Sequence, residues 1–436
     1  MTLSPEPIEP ELIDGAENSE PSARRGFVLV LAATAAVGVC GYIITWLVPR
    51  VIGVSPYAEF AIFWSFIFLV AAALSGVQQE MARASHPSAE SSSGGARAHP
   101  RRFAAVFGVV VLAVLLATGP IWVALAFQVN GWALVVPVAF GGACYVLLAT
   151  LTGLLYGRSD WNLIFVAIIV EGLGRLAMVG VTVALTHDVI ALAWAVVIPF
   201  GLAFVTTASL YAWKRSIHAP LDVGYRTLSW NVARTVVAAA AMGVLVSGYP
   251  LVLGMTSSHV PHNILGAVIL ASTLTRAPLI VVGMALQSYL VVFFKSRSGA
   301  LGRSIWALLA VVVILGILLT LLASLFGPPV FAFLFPDAPL LSGAFMAALV
   351  GSSILVGALC VTAPAVLAMS RHALFTAGWL TAAIATVFVL VLPLDFMAKT
   401  VASLIAGPLV GLAVHLVGIP LALRNRAGTA PQATKR

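Results

Sequence analysis

The sequence predicts an all-α polytopic membrane protein with about twelve transmembrane helices in two six-helix lobes. The first observation is composition: 61% of the 436 residues are hydrophobic, 9% are charged, and the mean hydropathy is +1.07. Soluble globular proteins carry about 25% charged residues, so the soluble classes are excluded. The other two observations are the long apolar runs and the placement of the basic residues between them.

Apolar runs follow one another along the whole chain. A membrane-spanning helix needs about 20 predominantly apolar residues, and the chain contains about twelve such runs. The first six are Gly26–Val48, Tyr57–Gln79, Phe103–Phe127, Gly131–Tyr156, Trp161–Leu185 and Val189–Trp213. The last six are Trp230–Gly254, Asn263–Phe294, Ser304–Phe326, Leu340–Met369, Ala373–Pro393 and Lys399–Leu423. The run Asn263–Phe294 is long for one span, so it is tilted or continues beyond the membrane.

The basic residues are concentrated in alternate connections. If the N-terminus is cytoplasmic, the outside loops hold only Arg50 and Lys399, both close to helix ends. The inside segments hold the basic clusters, among them Arg24 and Arg25, Arg101 and Arg102, Lys214 and Arg215, and Arg424 and Arg426. Cytoplasmic loops carry the excess of lysine and arginine, so we expect a multi-pass plasma-membrane protein with both termini in the cytoplasm.

A polar break at the middle of the chain divides it into two halves. We expect a disordered cytoplasmic tail at 1–25, an N-terminal lobe at 26–213, a cytoplasmic linker at 214–229, a C-terminal lobe at 230–423 and a cytoplasmic tail at 424–436. The first tail is too polar to fold and lacks the pattern of a signal peptide. An even number of helices per half gives both halves the same orientation, the parallel-repeat arrangement of several transporters.

Arg276 is the deepest charge in the predicted membrane region. More than ten mostly apolar residues flank it on either side, and a charge at that depth costs roughly 2.5–3.5 kcal/mol on insertion scales. Pro278 removes a backbone donor in the same turn, which predicts a kink. A charge beside a kink at membrane depth indicates a binding site. The alternative is an arginine satisfied by carbonyl groups and one carboxylate, with only a packing role.

The remaining charges inside the predicted helices are few and mostly basic. Glu171 and Arg175 lie four residues apart and share one helix face, either within a site or as a self-neutralising pair. Arg234 serves a cytoplasmic entrance or snorkels to the membrane surface. Arg50, at the end of the first helix, is a site residue or an interfacial anchor. The basic excess suits an anionic substrate, because arginine forks match phosphate oxygens.

Two further polar features lie at or within the predicted helices. Gln78, Gln79 and Glu80 close the second helix, where they line a cytoplasmic gate or meet lipid headgroups. His415 stands alone in the last helix, where it is a hydrogen-bonded packing residue or a proton relay.

Several functional signatures are absent from the sequence. It contains no Gly-x-x-x-x-Gly-Lys-Ser/Thr loop for ATP and no His/Cys/Asp cluster with metal-ligand spacing. Cys40, Cys144 and Cys360 fall inside apolar runs and are predicted to be core residues. The predicted external loops are too short for an acceptor-binding domain. We therefore expect no enzymatic activity, no cofactor, no metal and no nucleic-acid partner.

Two hairpins resemble a known family. Val48-Pro49-Arg50-Val51-Ile52-Gly53, with Tyr57–Ala61 after it, resembles the first hairpin of bacterial oligosaccharide and polysaccharide flippases, although Ala61 replaces a usual glycine. Leu74–Gln79 is similar to the end of that hairpin. Thr275–Leu279, with Gln287, resembles the eighth helix of actinobacterial polysaccharide biosynthesis proteins. The resemblance implies the multidrug/oligosaccharidyl-lipid/polysaccharide (MOP) exporter superfamily, two lobes in a V, alternating access and a polyprenyl-phosphate-linked glycan as cargo.

Together these expectations describe a flippase. It would move a lipid-linked oligosaccharide or cell-envelope polysaccharide precursor through the bilayer to the outer leaflet, alone or with other polysaccharide assembly proteins. The expected substrate-binding residues are Arg50, Arg175, Arg234 and Arg276. The expected coupling or gating residues are Glu171, Gln78, Gln79, Glu80 and Pro278.

Two alternatives stay open on the sequence alone. The first is a multidrug or small-molecule exporter of the same superfamily, against which the basic excess and the lack of an acidic residue in the first helix both count. The second is a non-transporting membrane scaffold of a glycan assembly complex, which has no distinguishing sequence signature.

Overall fold

Helices make up most of the described chain. The computed structural model describes residues 19–85, 97–127, 131–214, 221–297 and 300–428, without the side chains of 19–25, 27, 212–214, 277–285, 287–289, 292 and 422–428. No strand occurs in these ranges. The expected tails at 1–25 and 424–436 fall largely outside the described residues.

Fourteen helices follow one another in these described ranges. The first seven are α1 (Ser19–Ile52), α2 (Val54–Ala84), α3 (Pro100–Ala117), α4 (Gly119–Ala126), α5 (Gly131–Gly157), α6 (Trp161–Leu185) and α7 (Val189–Lys214). The last seven are α8 (Tyr225–Val246), α9 (Tyr249–Met255), α10 (His262–Ser296), α11 (Leu301–Leu334), α12 (Gly343–Ala368), α13 (His372–Val391) and α14 (Phe396–Gly428).

The helices confirm the predicted fold class. Each predicted run contains one long helix, and 11 helices among the described residues are long and apolar enough to cross a membrane. Two runs are interrupted, at Thr118 between α3 and α4 and at Gly248 between α8 and α9. Pro120 and Pro250 occupy the first turns that follow, a position at which the missing backbone donor of proline costs no helical hydrogen bond.

The turn between α1 and α2 depends on one glycine. Gly53 has φ +86°, a backbone conformation that a residue with a side chain adopts only under strain. Its amide donates to the carbonyl oxygen of Pro49 at 3.1 Å, and its carbonyl accepts from the amide of Tyr57 at 3.2 Å. The chain therefore changes direction within one residue, between the end of α1 and the start of α2.

Helix α2 joins the two halves of the chain. Within the N-terminal half it packs along α5, and from the other half it packs along α8 and α10. The remaining helices pack mainly within their own halves, with α1 on α6, α6 on α7, α11 on α12 and α13 on α14. The contact between the halves is therefore concentrated on α2.

Small residues and hydroxyl groups allow α2 and α8 to approach closely. A methyl group added at Gly76 would lie 2.5 Å from the backbone nitrogen of Val236. The hydroxyl of Thr235 donates to the carbonyl oxygen of Gly76 at 3.0 Å. Further along, the hydroxyl of Ser65 donates to the carbonyl oxygen of Ser247 at 2.5 Å. Side-chain hydrogen bonds from small residues are a typical device for joining helices inside a membrane.

The connection before α3 pairs with the connection before α8. The amide of Ala98 donates to the carbonyl oxygen of Val223 at 2.9 Å. The amide of Leu221 donates to the carbonyl oxygen of Ala98, also at 2.9 Å. The amide of His99 also donates to the hydroxyl of Tyr225 at 3.1 Å. The end of the predicted cytoplasmic loop is thus joined to the predicted central linker.

We predict that Gly76→Ala destabilises the protein while Gly41→Ala does not. The added methyl group at Gly76 meets the backbone of α8, which cannot move aside without separating the helices, whereas nothing lies within 4 Å at Gly41. The unfolding free energy should fall by about 1–3 kcal/mol for Gly76→Ala. Thermal unfolding of both purified variants in the same detergent measures the difference. Equal stability of the two variants would show that the α2–α8 contact is looser than described.

Candidate functional site

Arg276 lies in the middle of α10, well inside the predicted membrane region. With a rise of 1.5 Å per residue, Arg276 lies about 21 Å along the helix axis from the start of α10. It is 6% exposed. The guanidinium carbon lies 5.3 Å from the ring centroid of Tyr249. The Nε atom is buried and has no hydrogen-bond partner among the described residues, and no carboxylate there lies within 4 Å of the guanidinium.

Three helices other than α10 hold the surroundings of Arg276. Tyr249 begins α9, and its hydroxyl donates to the carbonyl oxygen of Thr400 on α14 at 3.1 Å. The same hydroxyl lies 3.2 Å from the hydroxyl of Ser403. From α1, the hydroxyl of Tyr42 donates to the carbonyl oxygen of Leu274 at 3.2 Å. The aromatic ring stabilises the guanidinium through a cation–π contact, but it does not neutralise the charge.

The expectation for Pro278 stays untested. The backbone of α10 is helical through this position, and the Pro278 side chain lies outside the described residues. The predicted kink beside Arg276 remains a prediction.

Arg175 is buried and fully engaged within the N-terminal half. Its guanidinium forms an ion pair with Glu171, one turn earlier on α6, and its Nε donates to the carbonyl oxygen of Val196 at 3.1 Å. It also lies between two aromatic rings, 5.0 Å from that of Phe68 and 4.7 Å from that of Phe200. Glu171 and Arg175 therefore form the self-neutralising pair that was one of the two alternatives open on the sequence.

Arg50 and Arg234 are both exposed, but only Arg50 lies at a helix end. Arg50 is in the last turn of α1, where its guanidinium lies 5.3 Å from the ring centroid of Trp46. Arg234 shares one face of α8 with Trp230 and Val237, which are both 66% exposed. Large exposed apolar side chains on a membrane helix are typical of a lipid-facing surface, so Arg234 lies on a face suited to snorkelling.

Glu80 connects α2 to α8. It is 4% exposed and accepts hydrogen bonds from the Nε and Nη2 atoms of Arg83 at 2.9 and 2.7 Å. The side-chain amide of Asn231 on α8 donates to the same carboxylate at 2.9 Å. Gln78 is half-buried and Gln79 is exposed. Of the three polar residues that close α2, only Glu80 is held by a described side chain of the other half.

Two more ionisable side chains are buried in the C-terminal half. Lys399, in the first turn of α14, is 3% exposed, and its ammonium donates to the carbonyl oxygen of Thr256 at 2.5 Å. His415 is fully buried, and its Nδ1 lies 3.0 Å from the hydroxyl of Thr362 on α12. Lys399, one of the two basic residues expected in the outside loops, is thus buried against the end of α9.

Asn231 and Tyr249 are the residues that sequence reasoning missed. Asn231 lies within the first turns of an apolar helix, and an asparagine inside a membrane needs a polar partner. This position was therefore the available sequence signal for its contact. No feature of the sequence around Tyr249 predicted that its ring packs against Arg276. No group of three or more His, Cys, Asp or Glu side chains suitable for a metal ion occurs in the part of the chain that the structure describes.

No protein-family model matches the chain, but individual proteins do. It is 30% identical over 392 residues to the uncharacterized protein Rv3630 of Mycobacterium tuberculosis (strain ATCC 25618 / H37Rv), covering 89% of this chain and 90% of that protein. It is 31% identical over 413 residues to the uncharacterized protein Rv1510 of the same strain, covering 92% of each.

Solved structures with a similar fold include transporters and a flippase. An inward-facing multidrug resistance MATE family transporter of the MOP superfamily matches with a TM-score of 0.69 and 12% identity, over 92% of this chain and 99% of that one. Lipid II flippase MurJ in an inward closed conformation matches with a TM-score of 0.69 and 12% identity, over 90% and 87%. A MOP superfamily transporter from Pyrococcus furiosus Vc1 (DSM3638) matches with a TM-score of 0.61 and 14% identity, over 92% and 95%.

We predict that Glu171→Gln costs more stability than Glu171→Gln combined with Arg175→Gln. The single change leaves a guanidinium with 4% side-chain exposure without its counter-charge, whereas the double change removes both charges. The single variant should lose about 1–3 kcal/mol of unfolding free energy, which is less than a fully buried pair would lose because Glu171 is partly exposed. Denaturation in detergent of these two variants and of Arg175→Gln completes a double-mutant cycle with the wild type and measures the coupling. Additive losses would mean that the two charges do not interact.

Proposed function

The chain belongs to the family of the mycobacterial proteins Rv3630 and Rv1510 and has the fold of MOP superfamily transporters, and on that premise we propose that it is a transporter. Its proposed cargo is a polyprenyl-phosphate-linked oligosaccharide or cell-envelope polysaccharide precursor. The cargo moves to the outer leaflet of the plasma membrane by alternating access. Both termini are cytoplasmic in this proposal, in agreement with the positions of the basic residues.

The observation that carries this proposal is the uncompensated charge of Arg276. A guanidinium buried at membrane depth is expected to face a carboxylate, a cavity or a ligand. Arg276 has a free Nε and no described carboxylate partner, and α10 contains no acidic residue that could supply one. A phosphate group presents oxygens that match the fork of a guanidinium. A phosphate-linked cargo therefore supplies the missing counter-charge.

The other expected site residues have more limited roles in this proposal. Arg175 is neutralised by Glu171, so this pair shapes the N-terminal half and does not provide a free positive charge. Arg50 at the end of α1 and Arg234 on the exposed face of α8 attract an anionic headgroup before or after its passage.

Helix α2 supplies the contacts that must change during transport. Near its end, Glu80 accepts from Asn231 of the C-terminal half. At its start, the carbonyl oxygen of Val54 lies so close to Gly266 of α10 that an added methyl group would be 2.2 Å away. In the conformation described, α2 touches the other half at both of its ends. Rocking of the halves opens one of these contacts at a time, and Glu80 with its neighbours Gln78 and Gln79 acts at the predicted cytoplasmic gate.

The fold alone does not identify the cargo. A MATE multidrug transporter and a lipid II flippase match this chain equally well in TM-score. A multidrug exporter therefore remains the second candidate. The buried positive charge of Arg276 favours an anion, because a cation beside an unneutralised guanidinium would be repelled.

We predict that Arg276→Gln abolishes the movement of lipid-linked cargo, whereas Arg303→Gln, at an exposed position on α11, leaves it unchanged. Full-length protein is reconstituted in vesicles that contain both fluorescent phosphate-linked and diphosphate-linked polyprenyl sugars, and outward movement is followed by quenching from outside. The rate should fall at least about tenfold, because the phosphate then crosses without its counter-charge.

Three other results have distinct meanings. A full rate in Arg276→Gln removes this residue from the mechanism. No movement of either lipid by the wild-type protein supports the scaffold alternative. Movement of cationic dyes alone would support the multidrug alternative.

We predict that Glu80→Ala loosens the end of α2 while Gln79→Ala does not. Removing the carboxylate leaves Arg83 and Asn231 without their shared acceptor, whereas the Gln79 side chain is exposed. The start of α8 should loosen with the end of α2, because Asn231 loses its acceptor. Hydrogen exchange followed by mass spectrometry should show exchange in 225–235 about tenfold faster for Glu80→Ala, if the free energy contributed by one hydrogen bond is lost. Identical exchange in the two variants would remove Glu80 from the gate.

A further inference from the structure

Resting on the proposed function, we propose that the cargo is joined to its lipid through a phosphodiester with one negative charge, and not through a diphosphate with two. The proposal follows from the number of positive charges that the protein presents at the depth of Arg276. A match of charge between site and cargo is required where water is scarce, because each unneutralised charge in a membrane interior is costly.

Only one unneutralised positive charge lies on the central part of α10. Within this helix the sequence contains two basic residues, Arg276 and Lys295, and Lys295 lies in the last turn. The structure describes no carboxylate within 4 Å of Arg276 and no hydrogen-bond partner for its Nε. The site therefore offers one guanidinium, whose fork binds two oxygens of a single phosphate.

The described neighbours of Arg276 add no free donor, and the buried ammonium of Lys399 keeps its charge but lies at a helix end. The hydroxyl of Tyr249 is already engaged by Thr400 and Ser403, so it is not available to a second phosphate. Lys399 lies in the first turn of α14, where its ammonium is bound by the carbonyl oxygen of Thr256.

The remaining intramembrane arginines are directed elsewhere. Arg175 forms its ion pair with Glu171 and packs between two aromatic rings of its own half. Arg234 lies on the exposed face of α8 that also carries Trp230. Arg175 is thus engaged by other groups, and Arg234 lies on an exposed helix face.

The two linkages differ in the charge left over at the site. A phosphodiester facing Arg276 gives a neutral pair. A diphosphate facing the same guanidinium leaves one negative charge without a partner, which disfavours its transfer through the membrane interior. We therefore expect selectivity for the singly charged linkage of about tenfold or more in affinity.

A pair of matched probes tests the proposal. Farnesyl-phosphoryl-glucose and farnesyl-diphosphoryl-glucose share the lipid chain and the sugar and differ only in the linkage. Binding of each probe is measured with full-length protein in lipid nanodiscs, for the wild type and for Arg276→Lys, Arg276→Gln and the control Arg303→Gln. Movement of each probe is measured in reconstituted vesicles.

The expected result is a preference of about tenfold or more for the phosphodiester in the wild type and in Arg303→Gln. Arg276→Lys keeps the charge and should retain a reduced preference, whereas Arg276→Gln should lose it. Equal or tighter binding of the diphosphate by the wild type overturns the proposal without any variant, and so does a preference that persists in Arg276→Gln. In both cases, movement of either probe leaves the proposed function intact. If the wild type neither binds nor moves either probe, the proposed function fails together with this inference.

Discussion

The need to stabilise one guanidinium inside an apolar bundle governs the centre of this structure. Arg276 is buried at the middle of α10 and has no described carboxylate partner. Its guanidinium makes a cation–π contact with the ring of Tyr249 instead. That ring is held by α14 through Thr400 and Ser403. The break between α8 and α9 is what brings Tyr249 to this place, because α9 restarts at that residue. Arg175 shows the opposite solution, in which Glu171 neutralises the charge within one helix turn.

The two halves of the chain are joined by a helix that belongs to one of them. Helix α2 packs along α5 in its own half and along α8 and α10 in the other. Its polar contacts are few and specific, with Thr235 against Gly76 and Asn231 against Glu80. Hydrogen bonds of this kind are worth little more than about 1 kcal/mol each inside a membrane, so they can break and re-form during a conformational cycle.

The shared fold and the site carry different information about function. A multidrug transporter and a lipid II flippase both match the chain with a TM-score of 0.69, so the helical framework is compatible with very different cargoes. What distinguishes one cargo from another is the charge that the interior presents. The positive charge of Arg276 is the feature of this chain that bears on that choice.

The long apolar helices, the polar breaks and the closeness of Glu171 to Arg175 could be read from the sequence. Apolar length and proline positions are local properties, and residues four apart on a helix are always neighbours. The contacts of Asn231 with Glu80 and of Tyr249 with Arg276 are seen only in the folded chain. Membrane helices are apolar on nearly every face, so the sequence contains little signal for the rotation of each helix about its axis. That rotation decides which polar side chains meet.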